Sequence, residues 1–152
     1  MTHFLIRLRS LFRGFSQQSS TKFDETPDAR ESLTRFLFSK NHFSVRKNQV
    51  KPDAFLPAPS SMETSVFRMK GLGQAEVQEL GDQIGARRGL TLKAWADLLA
   101  GVVFNTGLSV RPDNVPERHA VITGWPQEKH EQLSLAQELA ASAALRLPAE
   151  SV

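Results

Sequence analysis

The chain has 152 residues, 40% of them hydrophobic and 23% charged, and it contains no cysteine. That size and composition fit one globular domain and are too apolar for wholesale disorder, while the lack of cysteine excludes disulfide frameworks, thiolate zinc sites and a cysteine nucleophile. The net charge of +3 is unevenly spread: residues 1–73 carry 12 Lys and Arg against 6 Asp and Glu, and residues 74–152 carry 7 against 10.

Residues 1–32 read as a basic amphipathic arm and polar linker, and 33–152 as a single domain. Phe4, Leu5, Leu8, Leu11, Phe12 and Phe15 fall on one stripe of a helix, with Arg7, Arg9 and Arg13 off it. A stripe of this kind suits peripheral contact of residues 4–15 with an anionic membrane surface, an organelle-targeting segment, or docking on the domain itself. The longest apolar run, Leu98 to Phe104, has seven residues, far below the roughly 20 that span a bilayer. A soluble protein is expected, placed in the cytoplasm unless the arm directs it to an organelle or a membrane.

From Leu33 the elements follow in order. Phe36 and Phe38 are two apart in Leu33–Phe38, a spacing that puts both rings on one face of a strand. Residues 39–51 are polar and basic, and Pro52, Pro57 and Pro59 hold the next stretch in turns or extended chain. Thr64–Met69 is a strand, closed by Gly71 and Gly73. Gln74–Arg88 is a helix with Val77, Leu80 and Ile84 on one face and Gly89 placed to end it. Thr91–Val110 reads as a helix breaking near Asn105, followed by an extended run at Leu108. His119–Thr123 is a short strand, and Gln127–Leu147 a long helix burying Leu133, Ala136, Leu139, Ala140, Ala143, Ala144 and Leu147. The fold class is therefore α+β: a small antiparallel or mixed sheet with two or three helices on one face.

No phosphate-cradling glycine loop, H-E-x-x-H or G-x-S-x-G is present, and no cofactor or metal is expected. The four histidines are scattered without ligand spacing. What stands out is a basic segment interleaved with rings: Arg35, Lys40, Arg46, Lys47 and Lys51, with no acid between them, around Phe36, Phe38 and Phe43. Cations neutralise phosphates and an exposed ring stacks on a base, so this pattern suits nucleic acid, with an acidic protein surface next. Arg68 and Arg118 are expected to extend the patch, Phe43 to stack, and Trp125 to cover a pocket or contact a partner. The leading expectation is a non-catalytic binding module for an anionic macromolecule. The alternative is a small enzyme acting on a phosphate-containing substrate, with His42 and His119 as its acid–base pair and the neighbouring cations stabilising negative charge.

Overall fold

The computed structural model describes residues 23–150; the amphipathic stripe expected on residues 4–15 lies outside them. β1 (Ser32–Leu37) realises the alternation in the sequence. Leu33 and Leu37 enter one apolar cluster and Phe36 the other, as the two-residue period of a strand requires. Two short 3-10 turns (Lys40–His42 and Pro52–Ala54) flank a hairpin of β2 (Phe43–Ser44) and β3 (Gln49–Val50). β4 (Thr64–Arg68) follows, then α1 (Gln74–Arg88), which occupies the expected residues and closes at Gly89. Gly89 has φ 69° and ψ 28°, a left-handed conformation that glycine adopts without strain.

The segment read as one helix from Thr91 folds differently. Ala94–Leu99 is a strand, β5, and only Ala100–Asn105 is helical, as α2. Ala94, Ala96 and Leu98 lie in one cluster and Trp95 in the other, so a period of two governs residues whose spacing also matched a helix. All six residues of β5 pair with β1, and this long-range pairing overrides local helix propensity. β6 (Ser109–Pro112) and β7 (His119–Thr123) come next. The final helix, α3 (Lys129–Ser142), is shorter than expected. At Ala143 the chain turns extended and forms β8 (Ala144–Arg146) along β5. Ala136, Leu139 and Ala140 are buried as the stripe required, but Leu133 and Leu147 are 40% and 49% exposed.

The architecture is α+β. An antiparallel sheet in the order β6-β7-β4-β1-β5-β8 forms its centre, with the β2–β3 hairpin as a second small sheet. The helices divide between the faces of the sheet. α3 and α2 pack with Leu33, Leu37, Val66 and Ile122 on one face, where the hairpin also contributes Phe43 and Val50. α1 packs through Val77, Leu80 and Ile84 over Phe36, Phe67 and Trp95 on the other. Both faces are apolar because successive strand residues supply them in turn: Leu33 and Leu37 against Phe36 in β1, Val66 against Phe67 in β4, and Ala94, Ala96 and Leu98 against Trp95 in β5. Among the described residues no helix is long and apolar enough to cross a membrane.

Gly81 and Gly85 mark where α1 approaches the sheet. A Cβ on Gly85 would lie 2.7 Å from the Leu90 carbonyl oxygen and 2.9 Å from the Phe38 ring. An exposed helical Gly→Ala change gains about 1 kcal/mol. Here we expect Gly85→Ala to lower the unfolding free energy by about 1–2 kcal/mol, because overpacking outweighs propensity. Urea denaturation checks the sign, and a stabilised variant would contradict this packing.

Candidate functional site

The cations singled out in the sequence separate into two groups. Arg35, Arg68 and Arg118 are drawn into the fold. Arg68 sits at the end of β4, 3% exposed, with its Nε 2.6 Å and Nη2 2.9 Å from the carboxylate of Glu31, itself 6% exposed. Its Nη1 donates to the carbonyls of Phe23 and Glu25. Arg118 donates through Nη1 to the carbonyls of Arg68 and Lys70, and burial lowers its pKa although Glu117, Glu76 and Glu31 act to raise it. The Phe23 ring lies against both guanidinium groups, 5.3 Å from that of Arg68 and 4.7 Å from that of Arg118. Neither arginine extends an open basic surface: Glu31 and backbone carbonyls accept from Arg68, and backbone carbonyls accept from Arg118 Nη1, whose Nε is buried without a partner among the described residues. Among the described residues the fold therefore already includes Phe23, which is buried, and does not begin only at Leu33.

Arg35 is the third. The β1–β4 ladder holds only Leu33 with Arg68 and Thr34 with Phe67. Beyond those pairs Arg35 spans the gap, donating from Nε to the Ala54 carbonyl and from Nη1 to the Ser65 carbonyl. Burial, followed by the nearby charge of Arg88, lowers its pKa to about 10. It remains a cation at neutral pH.

Lys40, Arg46, Lys47 and Lys51 behave otherwise. All four are exposed, on the β2–β3 hairpin or its immediate flanks, and none forms an ion pair among the described residues. The loop Val45–Asn48 between the strands is set by the Asn48 N–H donating to the Val45 carbonyl and the Lys47 N–H to Ser44 Oγ. Phe43 does not stand out among these cations. Its ring, 9% exposed, anchors the hairpin in the core with Val50. Trp125 is likewise core, 6% exposed, its Nε1–H donating to the Ile122 carbonyl. The ring expected to stack and the ring expected to meet a partner both hold the domain together.

On the α1 face a groove of about 470 Å³ opens beside β4. Arg35, Arg87, Arg88 and His119 line it over an apolar floor that includes Phe67 and Ile84. Glu63 is the one acid in its wall, and its carboxylate is already engaged by Arg111. The His119 ring packs edge-on against Phe67 at 5.1 Å, and its Nδ1 lies 2.7 Å from Asp113 Oδ1. Partial burial acts to raise the Asp113 pKa. It is outweighed by the hydrogen bonds from His119 and the Val115 N–H and by the charges of His119 and Arg111, so the carboxyl titrates below its ordinary range. Arg35 and His119, selected separately from the sequence, thus meet in one groove.

His42 does not line this groove. It is half-buried in the first 3-10 turn, where burial, then Arg35, lowers its pKa, with Asp53 acting the other way. Arg87 and Arg88 were legible only as the basic end of α1; no local pattern says that packing of the helix carries them to Arg35. The three ligand-type residues Glu128, His130 and Glu131 cluster at the start of α3, their ligand atoms within 4.8 Å of one another. All are exposed, and His130 Nδ1 already pairs with Glu128, so no buried shell organises them around an ion.

No protein-family model, curated protein or solved structure matches the chain.

Two outcomes follow from this geometry. Glu31→Gln leaves the Arg68 guanidinium buried without its counter-charge, and we expect a loss of about 3–5 kcal/mol in unfolding free energy. A double-mutant cycle with Arg68→Met checks it, the double variant costing less than the two single losses together. For Asp113 the folded pKa lies below the unfolded one, so the unfolded chain takes up the proton first. The stabilisation is complete above the unfolded carboxylate range and is lost as pH falls through the folded pKa. Asp113→Asn should therefore flatten the rise in stability as pH climbs through the acid range to about pH 5, measured by urea unfolding at each pH.

Proposed function

We propose that the protein is a non-catalytic module that binds the phosphate backbone of nucleic acid through the β2–β3 hairpin. The observation that supports this is the unpartnered state of Lys40, Arg46, Lys47 and Lys51 among the described residues, on a segment with no acid between residues 36 and 52. Each is exposed, whereas the arginines of the same half of the chain that lie in strands already donate to backbone carbonyls and, for Arg68, to Glu31.

The surroundings of these cations indicate the kind of partner. A stable protein–protein interface centres on buried apolar or aromatic anchors. Between residues 40 and 51, all among the described residues, Val45 is the only large apolar side chain that stands well out, 59% exposed, and the ring of Phe43 is turned inward. A site made of flexible cations without a stacking platform reads charge density. It neutralises phosphates and releases their counterions, with little dependence on base sequence.

Affinity for a duplex oligonucleotide should fall steeply with salt, with a log–log slope no steeper than about −3.6 if all four cations meet phosphates. Arg46→Glu with Lys47→Glu should abolish most binding and leave the unfolding curve unchanged, since neither side chain packs on the core. Fluorescence anisotropy over a salt series measures both. A flat salt response would remove this reading, and tight binding to an acidic polypeptide but not to DNA or RNA would redirect it to a protein surface.

A further inference from the structure

The groove on the α1 face is a second, separate concentration of positive charge, and it differs in kind from the hairpin. The hairpin cations are exposed on short, irregular segments; in the groove, Arg35 and Arg88 have contacts that hold them. Arg35 is held by two backbone carbonyls, and its Nη2 makes no hydrogen bond among the described residues. The Arg88 guanidinium lies over the Phe38 ring, 5.5 Å from its centroid, which positions the charged group itself. His119 is oriented by Asp113 through Nδ1, and its Nε2 makes no hydrogen bond among the described residues.

Two like charges brought together need compensation. Arg35 and Arg88 are close enough that Arg88 disfavours the charged form of Arg35. Neither arginine, nor Arg87, is paired with an acid among the described residues, and Glu63, the only carboxylate in the wall, is taken by Arg111. The fold thus gathers three guanidinium groups and leaves their counter-charge unsupplied.

We propose that this groove binds a small organic phosphate, its phosphoryl oxygens held by the guanidinium groups of Arg35, Arg87 and Arg88 and its apolar part lying over Phe67 and Ile84. A dianion matches several cations better than a monocarboxylate does, and the planar guanidinium fork suits two oxygens at once. The space of about 470 Å³ falls within the range of small-molecule sites and is large enough for a phosphate with an attached ring. His119 is a further polar group in the wall, beside Phe67. The site is independent of the hairpin, so either can fail without the other.

The test uses the full chain with adenosine 5′-monophosphate, inorganic phosphate and adenosine as probes, followed by isothermal titration calorimetry. Saturable binding of the monophosphate is expected, with weaker binding of phosphate and none of adenosine. Arg88→Gln and Arg87→Gln, both on the exposed end of α1, should each weaken the monophosphate about tenfold, while Arg46→Glu with Lys47→Glu leaves it unchanged. Arg35→Lys keeps the charge and loses the fork; it should also weaken binding, with thermal unfolding confirming that it is folded. No saturation by the monophosphate below about 10 mM would overturn the proposal. So would binding indifferent to Arg87 and Arg88, or binding lost with the hairpin charges, which would assign it to general charge attraction.

Discussion

The Arg68–Glu31 pair is the interaction on which the rest of this structure depends. It is buried at the end of a central strand, and through it one guanidinium joins the segment from Phe23 to Glu31, strand β1 and strand β4. The backbone N–H of Arg68 donates to the Arg118 carbonyl and its own carbonyl accepts from the Arg118 side chain, so the loop before β7 is tied to the same point. A charge in that position is tolerable only when every donor finds an acceptor. That requirement fixes the path of the chain before β1 and the approach of the chain to β7, on which His119 sits.

The same constraint sorts the positive charges of the first half. Arginines that lie within strands, between apolar neighbours, go inward and become cross-links: Arg35 in Leu-Thr-Arg-Phe-Leu, Arg68 in Val-Phe-Arg-Met. Cations in polar surroundings, Lys40, Arg46, Lys47 and Lys51, stay in water. The guanidinium is the more weakly hydrated group and offers five donors in a rigid plane, which makes it the cation a protein can bury. A basic total for a stretch of sequence therefore overstates its surface charge wherever arginine interrupts an apolar strand.

Much of the fold was legible because local and long-range preferences agree. α1 has an apolar stripe, a basic last turn and Gly89 as its stop, and its residues are those expected; His119–Thr123 is a strand bounded by turn residues at both ends. The failures lie where they conflict. Trp95, Leu98 and Leu99 fit a helical stripe, but pairing with β1 extends them; the Ala-rich run after Ser142 has helical propensity, but the free edge of β5 captures it. Asp97 shows the consequence. It is half-buried on β5 and accepts from Thr34 Oγ1 and Arg146 Nε, a partner on each neighbouring strand. Of the candidate site, the exposed cations could be read from polarity alone. The meeting of Arg35 with Arg87, Arg88 and His119 could not, because it arises from packing of α1 over strands remote in sequence.

The capture of Ala144–Arg146 by the sheet bears on how the molecule keeps to itself. β5 is a six-residue strand whose outer edge, left bare, would offer unpaired amides and carbonyls to any other extended chain. β8 occupies half of that edge with three residues, and Gln78 then fastens the following segment to α1 through the backbone of Ala149. At the far margin, β6 ends in Pro112, which has no amide hydrogen to donate. The outermost strand on that side is thus only three residues long, and a short edge offers little template for pairing with another extended chain.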